Sequence, residues 1–202
     1  MERPGKRLTL ALTGASGSAF GVAVLRRLSA SDAVSAIALL ASPTGKRCLL
    51  DETGMTVKDL CGLPKVAFRD ERDLGADISS GSHRQDGMVV VPCSAGTLGR
   101  IAAGTSEGLV SRAADVCLKE RRPLVIVHRE TPLSLIDIEN YRTLTLAGAI
   151  LCPANPGFYL LPKRVEDLVD FVAGKVLDLL KVRHTLATRW EEHSVAIRDA
   201  GR

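Results

Sequence analysis

Apolar, β-branched runs recur along this chain at residues 8–12, 34–41, 88–91, 124–127 and 149–152, each followed by a polar or glycine-bearing stretch and then by apolar residues at helical spacing. Strands buried on both faces read as such continuous runs, so the alternation predicts an α/β fold with a parallel sheet and right-handed crossovers. The helical stretches fall at residues 19–28, 44–52, 97–102, 107–119, 133–146 and 165–180. In the last of these, Val165, Leu168, Val169, Val172, Val176, Leu179 and Leu180 form a broad apolar face. No proline-, glycine- or serine-rich linker divides the 202 residues, which predicts one domain over residues 1–181 and a tail over residues 182–202. The tail turns polar and is compatible with a helix, and its single Trp190 suits contact with a neighbouring subunit.

Composition narrows the function classes. A formal charge of +4 with dispersed basic residues argues against a nucleic-acid surface. Five cysteines form an odd set with no CxxC pair and no histidine at metal-ligand spacing, which predicts reduced thiols and no metal site. No segment is long and apolar enough to span a bilayer, and the expectation is a soluble cytoplasmic protein.

The polar interruptions carry the chemistry, because α/β sheets bind ligands beyond the carboxyl ends of their strands. After the first strand, Gly14-Ala15-Ser16-Gly17 allows a tight turn whose amides can approach a phosphate, although the same glycines also serve close helix–sheet packing. Ser42 closes the second strand as a phosphate contact or simply as a helix cap. Ser94-Ala95-Gly96-Thr97 closes the strand at 88–91, and the neighbouring Cys93 reads as a packed thiol. Arg112, Asp115 and Lys119 share a helix face, which could equally be a solvated charge stripe. Arg129-Glu130 follows the strand at 124–127 and joins an anion-binding cation to a carboxylate able to move a proton, with Thr131-Pro132 suited to helix initiation; a structural ion pair is the plainer alternative. Tyr159 brings a hydroxyl to the same rim or anchors its loop. His83 and His128 have no identifiable partner in the sequence and are left out of the site.

Read in order, these blocks resemble the flavin prenyltransferase (UbiX-type) family, over about residues 8–180. The resemblance rests on Gly14-Ala15-Ser16-Gly17, Asp86-Gly87-Met88 with Val91-Pro92-Cys93-Ser94, Arg112-Ala113-Ala114-Asp115 with Leu118-Lys119-Glu120, Arg129-Glu130-Thr131-Pro132-Leu133, and Gly157-Phe158-Tyr159. It implies a Rossmann-like (flavodoxin-like) three-layer domain in a homo-oligomer, typically a dodecamer. The implied reaction joins a dimethylallyl group from dimethylallyl phosphate to N5 and C6 of reduced FMN without a metal, for use by a UbiD-type decarboxylase.

Carried over position by position, the resemblance implies FMN contacts at Gly14, Ala15, Ser16, Ser42, Ser94, Ala95, Gly96, Thr97 and Arg129. The prenyl phosphate would meet Arg112, Lys119, Arg129, Tyr159 and Lys175, with Trp190 at the prenyl pocket. Glu130, Lys119 and Ser16 are the implied catalytic groups, Glu130 accepting the proton released on ring closure. Position 175 is Lys where many relatives carry Arg, which keeps charge but loses the bidentate fork. Two other readings share the phosphate-binding turns: an FMN-dependent cysteine decarboxylase-like enzyme and a noncatalytic FMN carrier. The first lacks an evident match for its catalytic histidine and is disfavoured by Arg129-Glu130-Thr131-Pro132; the second would not need Lys119, Glu130, Tyr159 and Lys175 together.

Overall fold

The computed structural model describes residues 5–188. Six parallel strands lie in the order β3-β2-β1-β4-β5-β6, with β1 Lys6–Leu12, β2 Val34–Ala41, β3 Val66–Phe68, β4 Gly87–Cys93, β5 Leu124–His128 and β6 Ile150–Leu151. The chain order reverses between β1 and β4, which is the switch point where doubly wound sheets open a crevice for ligands. The helices are α1 Ser18–Ala30, α2 Pro43–Thr53, α3 Val57–Cys61, α4 Ala95–Ala102, α5 Leu109–Lys119, α6 Leu135–Ala147 and α7 Val165–Leu179.

The period of two along each strand sorts side chains into two cores. Leu8, Leu10 and Leu12 of β1, with Val89 and Val91 of β4, pack with α1 and α7 on one face. Ala11, Met88, Val90 and Ile126 pack with α4, α5 and α6 on the other. Each fully buried Leu or Val is worth about 1.5–3 kcal/mol, and a one-residue slip of β1 would exchange its leucines for Thr9 and Ala11. Register is therefore fixed by the sequence pattern.

Close approach at the switch point depends on small residues. Gly17, at φ 111°, makes the left-handed bend into α1. A Cβ on Gly21 would lie 2.5 Å from Val91 O, so α1 rests directly on the backbone of β4.

The structure departs from the sequence expectations in four places. β3 and α3 are additional; each is short, and α3 is set by a Thr56–Asp59 capping box and not by apolar periodicity. α6 starts at Leu135, because Ser134 and Asp137 form its capping box, so Thr131-Pro132 belongs to the preceding loop. Residues 182–188 of the tail carry no helix. Trp190 lies outside the described residues.

Candidate functional site

The carboxyl ends of β1, β2, β4 and β5 are stitched to one another. Thr13 Oγ1 donates to Pro92 O (2.8 Å) and accepts from Ser94 N (2.9 Å), so the turns after β1 and β4 are held side by side. Ser42 N donates to Leu12 O (3.0 Å), and Arg129 N donates to Cys93 O (3.2 Å). Gly14, Ala15, Ser16, Ser42, Ser94 to Thr97, Arg129 and Glu130 therefore share one edge of the sheet.

Ser42 and Ser94 are helix caps. Ser42 Oγ accepts from Gly45 N (3.0 Å), and Ser94 Oγ accepts from Thr97 N (3.4 Å) while lying 3.0 Å from Thr97 Oγ1. Capping leaves both hydroxyls in place at the rim. The amides of Ala95 and Gly96, in the first turn of α4, have no intrahelical acceptor and point out of the helix start, where an anion is favoured.

Arg129 crosses the edge: its Nε donates to Ser16 O (3.1 Å). The rest of its guanidinium has no protein partner among the described residues. Glu130 is exposed, and its Oε1 accepts from the adjacent Thr131 N (3.2 Å). Cys93 is fully buried, and burial pushes its thiol far up, so it is a core group and no nucleophile.

One participant escaped the sequence reading. Glu52, near the end of α2, accepts from Gly17 N (2.9 Å) and Ser18 N (2.8 Å) through Oε2. The α1 amides that looked free for a phosphate are therefore taken by a carboxylate within the chain. Partial burial raises the Glu52 pKa, but the Gly17 and Ser18 amides and the Ser16 and Ser18 hydroxyls outweigh it and hold the carboxyl below its ordinary value. Glu52 sits 34 residues from Ser18, with no motif to mark it.

The remaining residues expected at the site divide. Tyr159, in the loop after β6, stacks edge-on against Phe171 and donates to Thr188 O (2.9 Å), so within one chain it anchors the start of the tail. Lys175 is exposed on α7, close enough to Cys152 for its charge to oppose the upward shift that burial gives that thiol. Arg112 is turned toward the 3-10 turn Asp77–Ser79: its Nε donates to Ser79 O (3.1 Å) and NH1 pairs with Asp115 (2.9 Å).

Lys119 ends α5, roughly 15 Å along the axis from the helix start, and pairs with Glu120. It lies beside Gly81 at the amino-terminal edge of the sheet. Within one chain α5 runs antiparallel to the strands and carries Lys119 to the edge opposite Glu130. His83 lies 3.7 Å from Asp77, away from the rim groups, and buried His128, at the end of β5 just before Arg129, turns its Nδ1 to Tyr141 OH (2.9 Å).

Crevice, capped helix starts and unshared guanidinium define a class, an α/β flavoprotein, and the Flavoprotein family matches residues 1–177. Flavin prenyltransferase UbiX of Alkalihalophilus pseudofirmus is 45% identical over 198 residues, spanning 95% of this chain and 99% of its own. The chain belongs to the flavin prenyltransferase family. Among solved structures, AnUbiX (PadA1) in complex with FMN and dimethylallyl pyrophosphate is 41% identical, covering 88% of this chain and 93% of that one at a TM-score of 0.84. The dodecameric FMN-dependent Ubix-like decarboxylase from Escherichia coli O157:H7 is 43% identical, covering 91% and 98% at a TM-score of 0.87. Likeness to the FMN-dependent cysteine decarboxylase TvaF, at 17% identity and a TM-score of 0.62, extends to the fold alone, which leaves the decarboxylase alternative without specific support.

Proposed function

We propose that this protein is a flavin prenyltransferase that joins a dimethylallyl group to N5 and C6 of reduced FMN. The Arg129–Ser16 hydrogen bond carries the reading, because it sets the Arg129–Glu130 pair beside the glycine turn at the switch point. The rim fits the flavin: Ser42, Thr97 and the Ala95 and Gly96 amides offer donors for phosphate and ribityl oxygens, Ser16 and Ser94 line the same rim with their hydroxyl protons turned to Glu52 and Thr97, and Gly14 and Ala15 keep the turn low. The bound flavin supplies the nucleophile.

The protein's own part is electrostatic and acid–base. Breaking an allylic carbon–oxygen bond builds negative charge on the departing phosphate, and converging cations stabilise it. Within one chain Arg129 is at the rim, and Lys175 and Tyr159 stand on the elements that follow β6. Arg112 and Lys119 reach a flavin edge only from a second copy, an arrangement supported by their position on α5 and by the dodecamer of the Escherichia coli relative. Trp190 is assigned to the prenyl pocket through the same assembly. Glu130, solvent-facing beside Arg129, takes the proton released on ring closure. Ser16, whose hydroxyl donates to the ionised Glu52 carboxylate, is held at the glycine turn beside the site assigned to the phosphate.

The product serves a UbiD-type decarboxylase. The five free thiols suit a reducing cytoplasm, and among the described residues no helix is long and apolar enough to cross a membrane.

Anaerobic incubation with reduced FMN and dimethylallyl monophosphate, or in a parallel sample the diphosphate, tests the reading. The extracted flavin should gain the mass of one dimethylallyl unit from one of the donors; unchanged flavin with both, with FMN bound, rejects prenyl transfer.

A further inference from the structure

On the α5 side of the sheet, toward the amino-terminal ends of the strands and away from the flavin rim, lies a cavity of about 50 Å³. Its origin is in the sequence. Thr9, Ala38 and Ala67 stand in one row across β1, β2 and β3, and Arg7 is paired with Ala36 in the next row. Three alanines leave open the space that larger side chains fill elsewhere on this face. The roof is the segment around Asp77 and the stretch from His83 to Gln85.

Two polar atoms in its wall have no protein partner among the described residues: Thr9 Oγ1 and Gln85 Oε1. Their residues are 1% and 5% exposed. Buried polar groups are nearly always satisfied, so both call for a ligand or ordered solvent in this space. The Gln85 amide can also be reoriented on chemical grounds. Its Nε2 lies 3.3 Å from Cys117 Sγ, and burial pushes that thiol up to about 12, so the sulfur keeps its proton. A half-turn of the amide gives the S–H a carbonyl acceptor and turns the NH₂ into the cavity. Both buried groups then donate.

The charge around them has the same sense. Arg7, Lys65, Arg69 and Arg84 line the cavity with one lining carboxylate, Asp77, and a second, Asp86, pairs Arg84 from outside the lining at 3.4 Å, so cations outnumber carboxylates by two. Asp77 is already occupied by the Arg69 fork, at 2.9 and 3.0 Å, and by Ile78 N. A cation would find little to coordinate it; an anion finds donors and positive potential.

We propose that this cavity is a binding site for a small inorganic anion, chloride in the cell, held by the Thr9 hydroxyl and the Gln85 amide within the field of Arg7 and Lys65. A water molecule needs roughly 10–15 Å³ of such space, so the cavity takes a monatomic ion with a companion water and excludes a sugar phosphate. The ion ties the segment around Asp77 and His83–Gln85 to the sheet, so it acts on stability and not on flavin chemistry.

Diffraction at the bromine edge from crystals of the full chain soaked in sodium bromide should give an anomalous peak within hydrogen-bond distance of Thr9 Oγ1 and the Gln85 amide. In solution, sodium chloride should raise Tm above sodium gluconate at equal ionic strength, by roughly 3–5 °C per tenfold increase beyond saturation. Thr9→Val should lose that chloride-specific rise and still bind FMN. Density for water alone with no bromide peak, or a Thr9→Val chain whose chloride response equals the parent's, overturns the assignment.

Discussion

Replacing Glu52 by Gln keeps the side chain's shape and removes one negative charge from the start of α1. In the structure its Oε2 accepts from Gly17 N and Ser18 N, donors that a helix start cannot satisfy internally. A hydrogen bond to a charged group contributes about 1.5–3 kcal/mol, and a charge at a helix N-terminus about 0.3–1 kcal/mol. A Gln amide oxygen in the place of Oε2 still accepts both bonds but without the charge, and the exposed carboxylate is screened by solvent, so Glu52→Gln should lose about 1 kcal/mol at neutral pH. For a chain of 202 residues that lowers Tm by roughly 2–4 °C. The pH dependence follows from the direction of the shift. The folded carboxyl titrates below its ordinary value of 4.5, so its contribution is complete above that pH and is lost as pH falls through the folded pKa. Urea unfolding of parent and variant, run from neutral pH into the acid range, should show a gap that closes as the parent carboxyl protonates. Equal stability at neutral pH, or a gap unchanged by acid, would refute the assignment of Glu52 to the α1 amides.

Glu130→Gln should retain FMN and slow product formation by about 100- to 10,000-fold, read as flavin mass against time; full turnover would remove Glu130 from the proton transfer. Gly21→Ala puts a methyl group 2.5 Å from Val91 O and closer still to Leu12 Cδ2, and should destabilise by about 1–3 kcal/mol in thermal unfolding. A Gly21→Ala chain with the parent's Tm would mean that α1 does not rest on β4 as described.

The sheet was legible because its strands are long apolar runs: β1, β2, β4 and β5 all fall within two residues of the expected ranges at each end. β3 was not, since three residues at a sheet edge carry no run to recognise. Ser16, Ser94 and Arg129 could be read as rim residues because each directly follows a strand, and a strand's end fixes where the next residues lie. Glu52 was invisible, as its role depends on α2 returning to the start of α1, and nothing local in residues 43–53 encodes that crossing. Lys119 shows the opposite case. Its motif marked it for the site while its helix carries it to the far edge, because motif order says nothing about which copy of a chain supplies each part.

That division is the central claim, and co-expressing two differently tagged inactive chains, Lys119→Ala and Glu130→Gln, tests it directly. If one copy supplies the flavin rim and another the Lys119 cation, random mixing regenerates about a quarter of the sites intact, and purified mixed oligomers should form prenylated flavin at a corresponding fraction of the parent rate. Mixed oligomers as inactive as either variant alone would contradict a site shared between copies.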